Sequence, residues 1–346
     1  MDKLLIKGKN LKKILIILSG YYERFQINTI ESCLKRAKYP ERISFAIAYH
    51  EDHIIDTSKI NARVSKYIIP KGDKIGIQKP KNILAKMIQD EDFVLSIDSH
   101  VIMMPEWDEE LIKDYEDRLE NAKNKNIVIS GNFGNSMSIG HEDYQYCLKE
   151  YFNNKNFFNT KKINLPIEFN ECIIDGGMTD WDNTKNSNYY DIVTNSVPKL
   201  SYGKGNNIHL RNIYSGNFSF FPKSWFDKYN FSEKIFFSAD QPETSMNIYT
   251  SGYDIWMPRF KYHIHMSDHN QKNIDKKHTT FIYKNKYFNS NTYFDVDKDI
   301  YGRNWFLDVI NNGYPEERPR SVDDFFKFFD LKKELYKIKD KNNAKI

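Results

Sequence analysis

The feature that most constrains this 346-residue sequence is an alternation of apolar runs and helical patterns over its first third. Ile14-Leu15-Ile16-Ile17-Leu18 carries no polar interruption and stops at Gly20. A run of this length falls far short of the ~20 residues that cross a bilayer. It reads instead as a strand covered on both faces within a parallel sheet. A helical pattern opens at Asn28-Thr29, with Ile30, Cys33 and Leu34 three and four residues apart, and Pro40 ends it. Ile43-Ser44-Phe45-Ala46-Ile47-Ala48 is a second buried strand, which makes a strand–helix–strand unit with a right-handed crossover.

The alternation repeats. A helix is expected over residues 80–89, then the strand Phe93-Val94-Leu95-Ser96-Ile97. A helix starting at Pro105-Glu106-Trp107 runs through Leu111 and Tyr115, followed by the strand Ile127-Val128-Ile129-Ser130. The fold class is therefore α/β, with an open, mostly parallel sheet flanked by helices. Residues 131–207 are rich in Asn, Gly, Asp and Tyr and lose this regularity. Order returns with a strand over 215–221, a helix over about 241–250 that Ser251-Gly252 stops, and a short strand over 262–266. Ser321 caps a last amphipathic helix carrying Val322, Phe325, Phe326 and Phe329, with Asp324 at the capping-box position. The expected organisation is a nucleotide-binding half over residues 1–130, an acceptor-binding half of the same domain over 131–295, and a short helical C-terminal extension over 296–346.

Composition narrows the class. An apolar share of 40% against 28% charged residues suits a globular chain. The net charge of +4 is spread without the basic patch of a nucleic-acid binder. Three widely separated cysteines, Cys33, Cys147 and Cys172, form neither a disulfide framework nor a zinc pattern. Residues 1–13 carry charges throughout and lack a signal-peptide apolar stretch, so a cytoplasmic protein without membrane contact is expected.

Ligands of open α/β sheets bind at the carboxyl ends of the strands. Asp98-Ser99-His100 follows the buried strand Phe93-Val94-Leu95-Ser96-Ile97 at that location. In an extended segment Asp98 and His100 project to one side, and a carboxylate beside an imidazole suits Mn²⁺ or another divalent cation. Such an ion would neutralise a departing diphosphate. His50-Glu51-Asp52-His53 also follows a strand but reads as a polar loop. Trp107 reads as core, and Asp175, Asp180, Trp181 and Asp182 as candidates for an acceptor loop.

Ser96-Ile97-Asp98-Ser99-His100 with Pro105-Glu106-Trp107-Asp108-Glu109 resembles the metal-motif region of the protein N-acetylglucosaminyltransferases that modify hydroxyproline in a ubiquitin-ligase subunit. That family is distantly similar to the polypeptide N-acetylgalactosaminyltransferases. Ser19-Gly20-Tyr21-Tyr22-Glu23, Thr29-Ile30-Glu31-Ser32-Cys33-Leu34 and Ala37-Lys38-Tyr39-Pro40-Glu41-Arg42-Ile43 are similar to its first strand–helix–strand unit. Ser215-Gly216-Asn217-Phe218-Ser219-Phe220, Phe236-Phe237-Ser238-Ala239-Asp240-Gln241, Thr250-Ser251-Gly252-Tyr253-Asp254 and Arg320-Ser321-Val322-Asp323-Asp324-Phe325 follow in the family's order. The likeness covers residues 14–110 and 213–330.

The resemblance implies a GT-A-type fold and a metal-dependent glycosyltransferase. A GlcNAc-like sugar would pass from a UDP-sugar, with retention of configuration, to an acceptor hydroxyl on a protein. Asp98, His100 and a later histidine would hold the ion; His265 fits best, with His263 as the alternative. Tyr21 and Glu23 would meet the nucleotide base, and Lys81 and Ser99 the donor. The family's Gly-Glu-Glu is Ala239-Asp240-Gln241 here, which makes Asp240 and Gln241 the catalytic candidates and admits a changed acceptor. Its Ala-Arg pair is Pro80-Lys81, which keeps the charge without the bidentate fork. The competing expectations are a transferase acting on a glycan or a modified nucleic acid, a non-catalytic UDP-sugar-binding relative, and a metal-dependent hydrolase.

Overall fold

The computed structural model describes residues 11–20, 23, 25–131, 214–237, 239–256, 258, 262–265 and 295–329. Among them, seven strands form one sheet in the order β3-β2-β1-β4-β7-β6-β8. These are β1 (Ile14–Ser19), β2 (Ile43–His50), β3 (Val64–Ile69), β4 (Phe93–Ile97), β6 (Ile127–Ser130), β7 (Phe218–Pro222) and β8 (Asp254–Trp256). Only β7 runs antiparallel to its neighbours β4 and β6, and the remaining pairs are parallel. The open, mostly parallel α/β sheet that the apolar runs imply is thus present. A two-stranded ribbon of β5 (Val101–Met103) and β9 (His263–His265) stands beside it.

Strand alternation divides the core into two layers. Ile14, Ile16 and Leu18 join Phe45, Ile47, Leu95 and Ile97 on one face, under α1 (Gln26–Arg36) and α3 (Trp107–Asn121). Leu15, Ile17, Ala46, Ala48, Val94 and Phe221 line the other face. There they meet Leu84 of α2 (Gln78–Ala85), Trp225 of α4 (Lys223–Phe226) and Ile248 of α5 (Asp240–Thr250). A third cluster joins Met246 and Tyr249 of α5 to Phe306 and Ile310 of α6 (Val296–Asn312) and to Phe325 and Phe326 of α7 (Val322–Phe328). The expected capping box at Ser321 and Asp324 is formed. No helix among the described residues is long and apolar enough to cross a membrane.

Several boundaries differ from the sequence pattern. α1 begins at Gln26, before Asn28, because the Gln26 amide donates to the carbonyls of Leu18 and Ala48 (3.1 and 3.3 Å) and ties the helix start to the ends of two strands. α2 is Gln78–Ala85 rather than 80–89. The strand expected over 215–221 is Phe218–Pro222, because Gly216 and Asn217 form a turn. The strand expected over 262–266 is confined to His263–His265. β3 escapes the pattern because Ser65 and Lys66 lie on a half-exposed edge strand, and β8 because it is three residues long. In α6 the consecutive Trp305-Phe306-Leu307 obscures any helical stripe.

Asp108, buried in the first turn of α3, locks that helix to the loop between α1 and β2. It accepts the backbone N–H groups of Lys38 (2.6 Å) and Tyr39 (3.1 Å) and pairs with the Arg42 Nε at 2.8 Å. Arg42 also reaches Glu109 at 2.9 Å. Asp108→Ala takes one of two carboxylates from a buried guanidinium and the acceptor from two backbone N–H groups, and should cost about 3–5 kcal/mol, measured by urea denaturation. Asp108→Asn, which keeps one accepting oxygen, should cost less.

Glu243 of α5 is fully buried. Its Oε1 accepts from the Tyr314 hydroxyl at 3.0 Å, and its Oε2 has no hydrogen-bond partner among the described residues. Burial raises its carboxyl from 4.5 to about 8, against the pull of Tyr314 and Arg318. A folded-state value above the unfolded one means that folding takes up a proton. This contribution is complete below about pH 4.5 and is lost as pH rises through about 8. Glu243→Gln should therefore flatten the fall in urea midpoint between pH 5 and pH 8.5 seen in the wild type.

Candidate active site

The site forms where β1 and β4 end and β7 begins. β1 and β4 pair in register from Ile14↔Phe93 to Leu18↔Ile97, so Gly20 and Asp98 leave the sheet side by side. The Asp98 N–H donates to the Asn217 carbonyl (3.4 Å), which joins the Asp98-Ser99-His100 segment to the turn before β7. Thr29 of α1 steadies the far side of the loop. Its hydroxyl donates to the Ser99 carbonyl at 2.8 Å and accepts from the Val101 N–H at 3.2 Å. β5 then continues from His100 and pairs with β9, which places the His265 backbone opposite Val101.

The His100 Nδ1 lies 3.0 Å from the Glu23 Oε2, and its Nε2 lies 3.8 Å from the Asp98 Oδ2. Burial opposes a charged imidazole, but the Glu23 hydrogen bond and the charges of Glu23 and Asp98 outweigh it and raise His100 to about 9. Burial likewise opposes the Glu23 anion, but its hydrogen bond with His100, the His100 charge and the Phe25 N–H together bring its carboxyl below the ordinary range. Gly20 makes this packing possible: a Cβ there would lie 2.8 Å from the Glu23 Cβ and 3.1 Å from the Ser99 Oγ.

A second group of charges lies alongside. Lys81 of α2 donates to the Tyr214 hydroxyl at 2.9 Å and approaches the Gly216 carbonyl at 3.5 Å. Burial disfavours its ammonium, yet Tyr214 and the carboxylates of Asp240 and Asp98 raise it above its ordinary value. Asp240, the first residue of α5, accepts from the Gln78 amide, which also reaches the Thr244 hydroxyl at 2.7 Å. Burial raises the Asp240 carboxyl, with Lys81 opposing and Asp98 reinforcing. Gly216 admits this carboxylate closely, since a Cβ there would stand 3.1 Å from its Oδ2. A hydroxyl relay fixes the Gly216 turn from below. Ser130 and Ser219 meet at 2.6 Å, Ser219 donates to the Ser215 carbonyl at 2.8 Å, and the Ser215 N–H donates to Ser130 at 2.7 Å.

Of the residues singled out from the sequence, Glu23, Lys81, Asp98, Ser99, His100 and Asp240 come together in this region. Gln241 sits in the first turn of α5, its carbonyl accepting from Ser245 at 2.6 Å. Tyr21, Asp175, Asp180, Trp181, Asp182 and the side chain of His265 lie outside the described residues. The alternative histidine, His263, is buried with its ring stacked on Phe218 at 4.9 Å. Trp107 is core, donating to the Cys33 carbonyl at 3.0 Å. His53 of the polar loop lies 3.3 Å from the Glu23 carbonyl. Gln78, Tyr214 and the Ser130–Ser219 pair carry no sequence signal beyond their closeness to Lys81 and Ser215-Gly216-Asn217.

No three His, Cys, Asp or Glu side chains among the described residues make a complete metal site. Asp98 and His100 nevertheless fit as part of one. Ligands held about 2.1 Å from a divalent ion can stand up to about 4.2 Å apart, and the facing atoms here are 3.8 Å apart.

No protein-family model matches the chain, and no curated protein matches it. Among solved structures it is similar to S. aureus TarS 1–349 in complex with UDP-GlcNAc, at 14% identity over 88% of this chain and 68% of that one, with a TM-score of 0.45. It is similar to S. aureus TarS at 14% identity and a TM-score of 0.43, again over 88% of this chain but spanning only 41% of TarS. The mannosyltransferase PcManGT from Pyrobaculum calidifontis, in complex with GDP-Man and Mn²⁺, is similar at 12% identity over 72% of this chain and 55% of that one, with a TM-score of 0.40.

Gly20→Ala forces a methyl group against Glu23 and Ser99 and should cost about 1–3 kcal/mol, read as a lower Tm.

Proposed function

We propose that this chain is a metal-dependent, retaining glycosyltransferase that moves a GlcNAc-like sugar from a UDP-sugar to an acceptor hydroxyl on a protein. The observation that carries the reading is Asp98 facing His100 at the carboxyl ends of parallel strands, with buried Lys81 and Asp240 beside them. Perturbed, buried charges gathered at that edge mark a functional site. The donor, retention of configuration and the protein acceptor rest on the family resemblance of the motifs.

Asp98 and His100 would hold the ion, joined by His265 in the family's pattern. A divalent cation, when bound, supplies the positive charge that stabilises a departing diphosphate. Lys81 adds a fixed positive charge, kept protonated by its carboxylate neighbours. Asp240, oriented by Gln78, offers a carboxylate to a sugar or acceptor hydroxyl. In the transfer, the acceptor oxygen bonds to the anomeric carbon on the face from which the diphosphate leaves. The carbon–diphosphate bond breaks, and the acceptor proton passes to the departing diphosphate oxygen. No protein nucleophile is required. The Ala239-Asp240-Gln241 departure, one methylene shorter at its first carboxylate and amidated at the second, favours as a second reading a glycan or modified nucleic-acid acceptor.

The test is UDP release from a panel of UDP-sugars with and without Mn²⁺. One donor should be hydrolysed slowly in a Mn²⁺-dependent manner, and Asp98→Ala should reduce the rate by about 10²-fold or more, the scale of losing one transition-state charge stabiliser. A rate indifferent to both Mn²⁺ and Asp98 would overturn the reading. Product analysis against protein, glycan and DNA acceptors then separates the acceptor classes.

A further inference from the structure

The resemblance gives Glu23 to the nucleotide base, but both of its carboxylate oxygens are already engaged. Oε1 accepts the Phe25 N–H at 3.2 Å, and Oε2 faces the His100 Nδ1 at 3.0 Å. The side chain is buried, folded back over the end of β1 through the space that Gly20 leaves. An ionised carboxylate can only accept, so Nδ1 must be the donor in this contact. With Nδ1–H pinned to Glu23, Nε2 is the ring atom turned toward the Asp98 Oδ2, 3.8 Å away.

We infer that Glu23 is a positioning residue for His100: it fixes the ring's orientation and tautomer so that the Nε2 lone pair is presented, beside Asp98, to a divalent cation. The inference rests on the proposed metal-holding role of Asp98 and His100. The arrangement has the form by which carboxylates orient metal-binding imidazoles, where loss of the outer partner weakens metal affinity by about 10–100-fold. Glu23 is itself held from two further sides. Phe25 fixes one oxygen, and the Glu23 carbonyl lies 3.3 Å from the His53 Nε2, so the carboxylate is held in one place. This also separates the roles of the acidic groups. Asp98 and Glu23 face opposite nitrogens of one ring, and only Asp98 has a substantially exposed side chain, at 34% against 6% for Glu23.

The measurement is Mn²⁺ affinity of the full chain, by calorimetry or by the free-Mn²⁺ paramagnetic resonance signal, for the wild type, Glu23→Ala, Glu23→Gln and Asp98→Ala. Asp98→Ala should abolish binding, and Glu23→Ala should weaken it about 10–100-fold. Glu23→Gln keeps an accepting oxygen of the same reach and should recover most of that loss, a rescue that a packing role alone would not tie to the metal. Should Glu23→Ala fail to fold, Glu23→Gln decides, because removing the charge from Nδ1 should still weaken Mn²⁺ severalfold at an unchanged Tm.

Unchanged Mn²⁺ affinity in the Glu23 variants, with binding lost in Asp98→Ala, would overturn the positioning role and leave the metal site standing. Loss of UDP affinity with Mn²⁺ affinity intact would return Glu23 to the nucleotide and also overturn it. A wild type that binds no Mn²⁺, or an Asp98→Ala that binds it normally, would instead overturn the metal reading on which the inference stands.

Discussion

The site depends on one seam, the parallel pairing of Ile14–Ser19 with Ile43–His50 on one side and Phe93–Ile97 on the other. Every residue of β2 and β4 is buried, as is β1 up to Ser19, so each strand is held from both faces as well as by its neighbours. A strand so confined cannot slip by one residue without turning Ile14, Ile16 and Leu18 into the opposite layer. Its end is therefore a fixed point. Gly20 adds one more ladder bond, to the Ala48 carbonyl at 3.3 Å, and the chain then leaves the sheet beside the end of β4. Glu23, the Asp98-Ser99-His100 loop and the turn before β7 all gather at that edge.

What hangs there is charged and largely desolvated. Glu23, Lys81 and Asp240 are each less than a tenth exposed. Burying charges of both signs is a poor way to stabilise a fold, since desolvation offsets the attraction between them. Among the described residues the carboxylates share their cationic neighbours. Asp98 and Asp240 both bear on Lys81, while Glu23 and Asp98 share one imidazole. A partly open carboxylate at Asp98 suits a cation, and Lys81 suits an anionic ligand beside it.

The helix that carries Asp240 is braced from behind. Eight consecutive residues of α5, from Glu243 to Thr250, are buried. The C-terminal extension reaches them from its far side. Arg318 holds Asn247 at 2.8 Å and stacks on Tyr229 and Tyr314, and Arg320 pairs with Asp254 at 2.8 Å. Groups that must sit within a fraction of an ångström of their working positions need such support from residues that never touch the ligand. Arg318 and Arg320 thus brace the helix that carries Asp240 from one layer away.

Much of this was legible in the sequence because it rests on local chemistry. Apolar runs with no polar break identify buried strands, Ser321 with Asp324 identifies a helix start, and Asp98-Ser99-His100 after a strand identifies the carboxyl end of a central strand. Each signal is contained in a few neighbouring residues. What the sequence does not contain is distance. Nothing local links Gln78 to Asp240, Lys81 to Tyr214, Ser130 to Ser219 or Glu23 to His100, because each pair meets only when the sheet order brings separate strand ends and helix starts together. The antiparallel insertion of β7 between β4 and β6 decides that the Ser215–Asn217 turn lies against Asp98. The sequence by itself determined the class of fold and the kind of residue at its edge. Tertiary packing decided which of those residues face one another, since burial and charge act through space while sequence patterns report only along the chain.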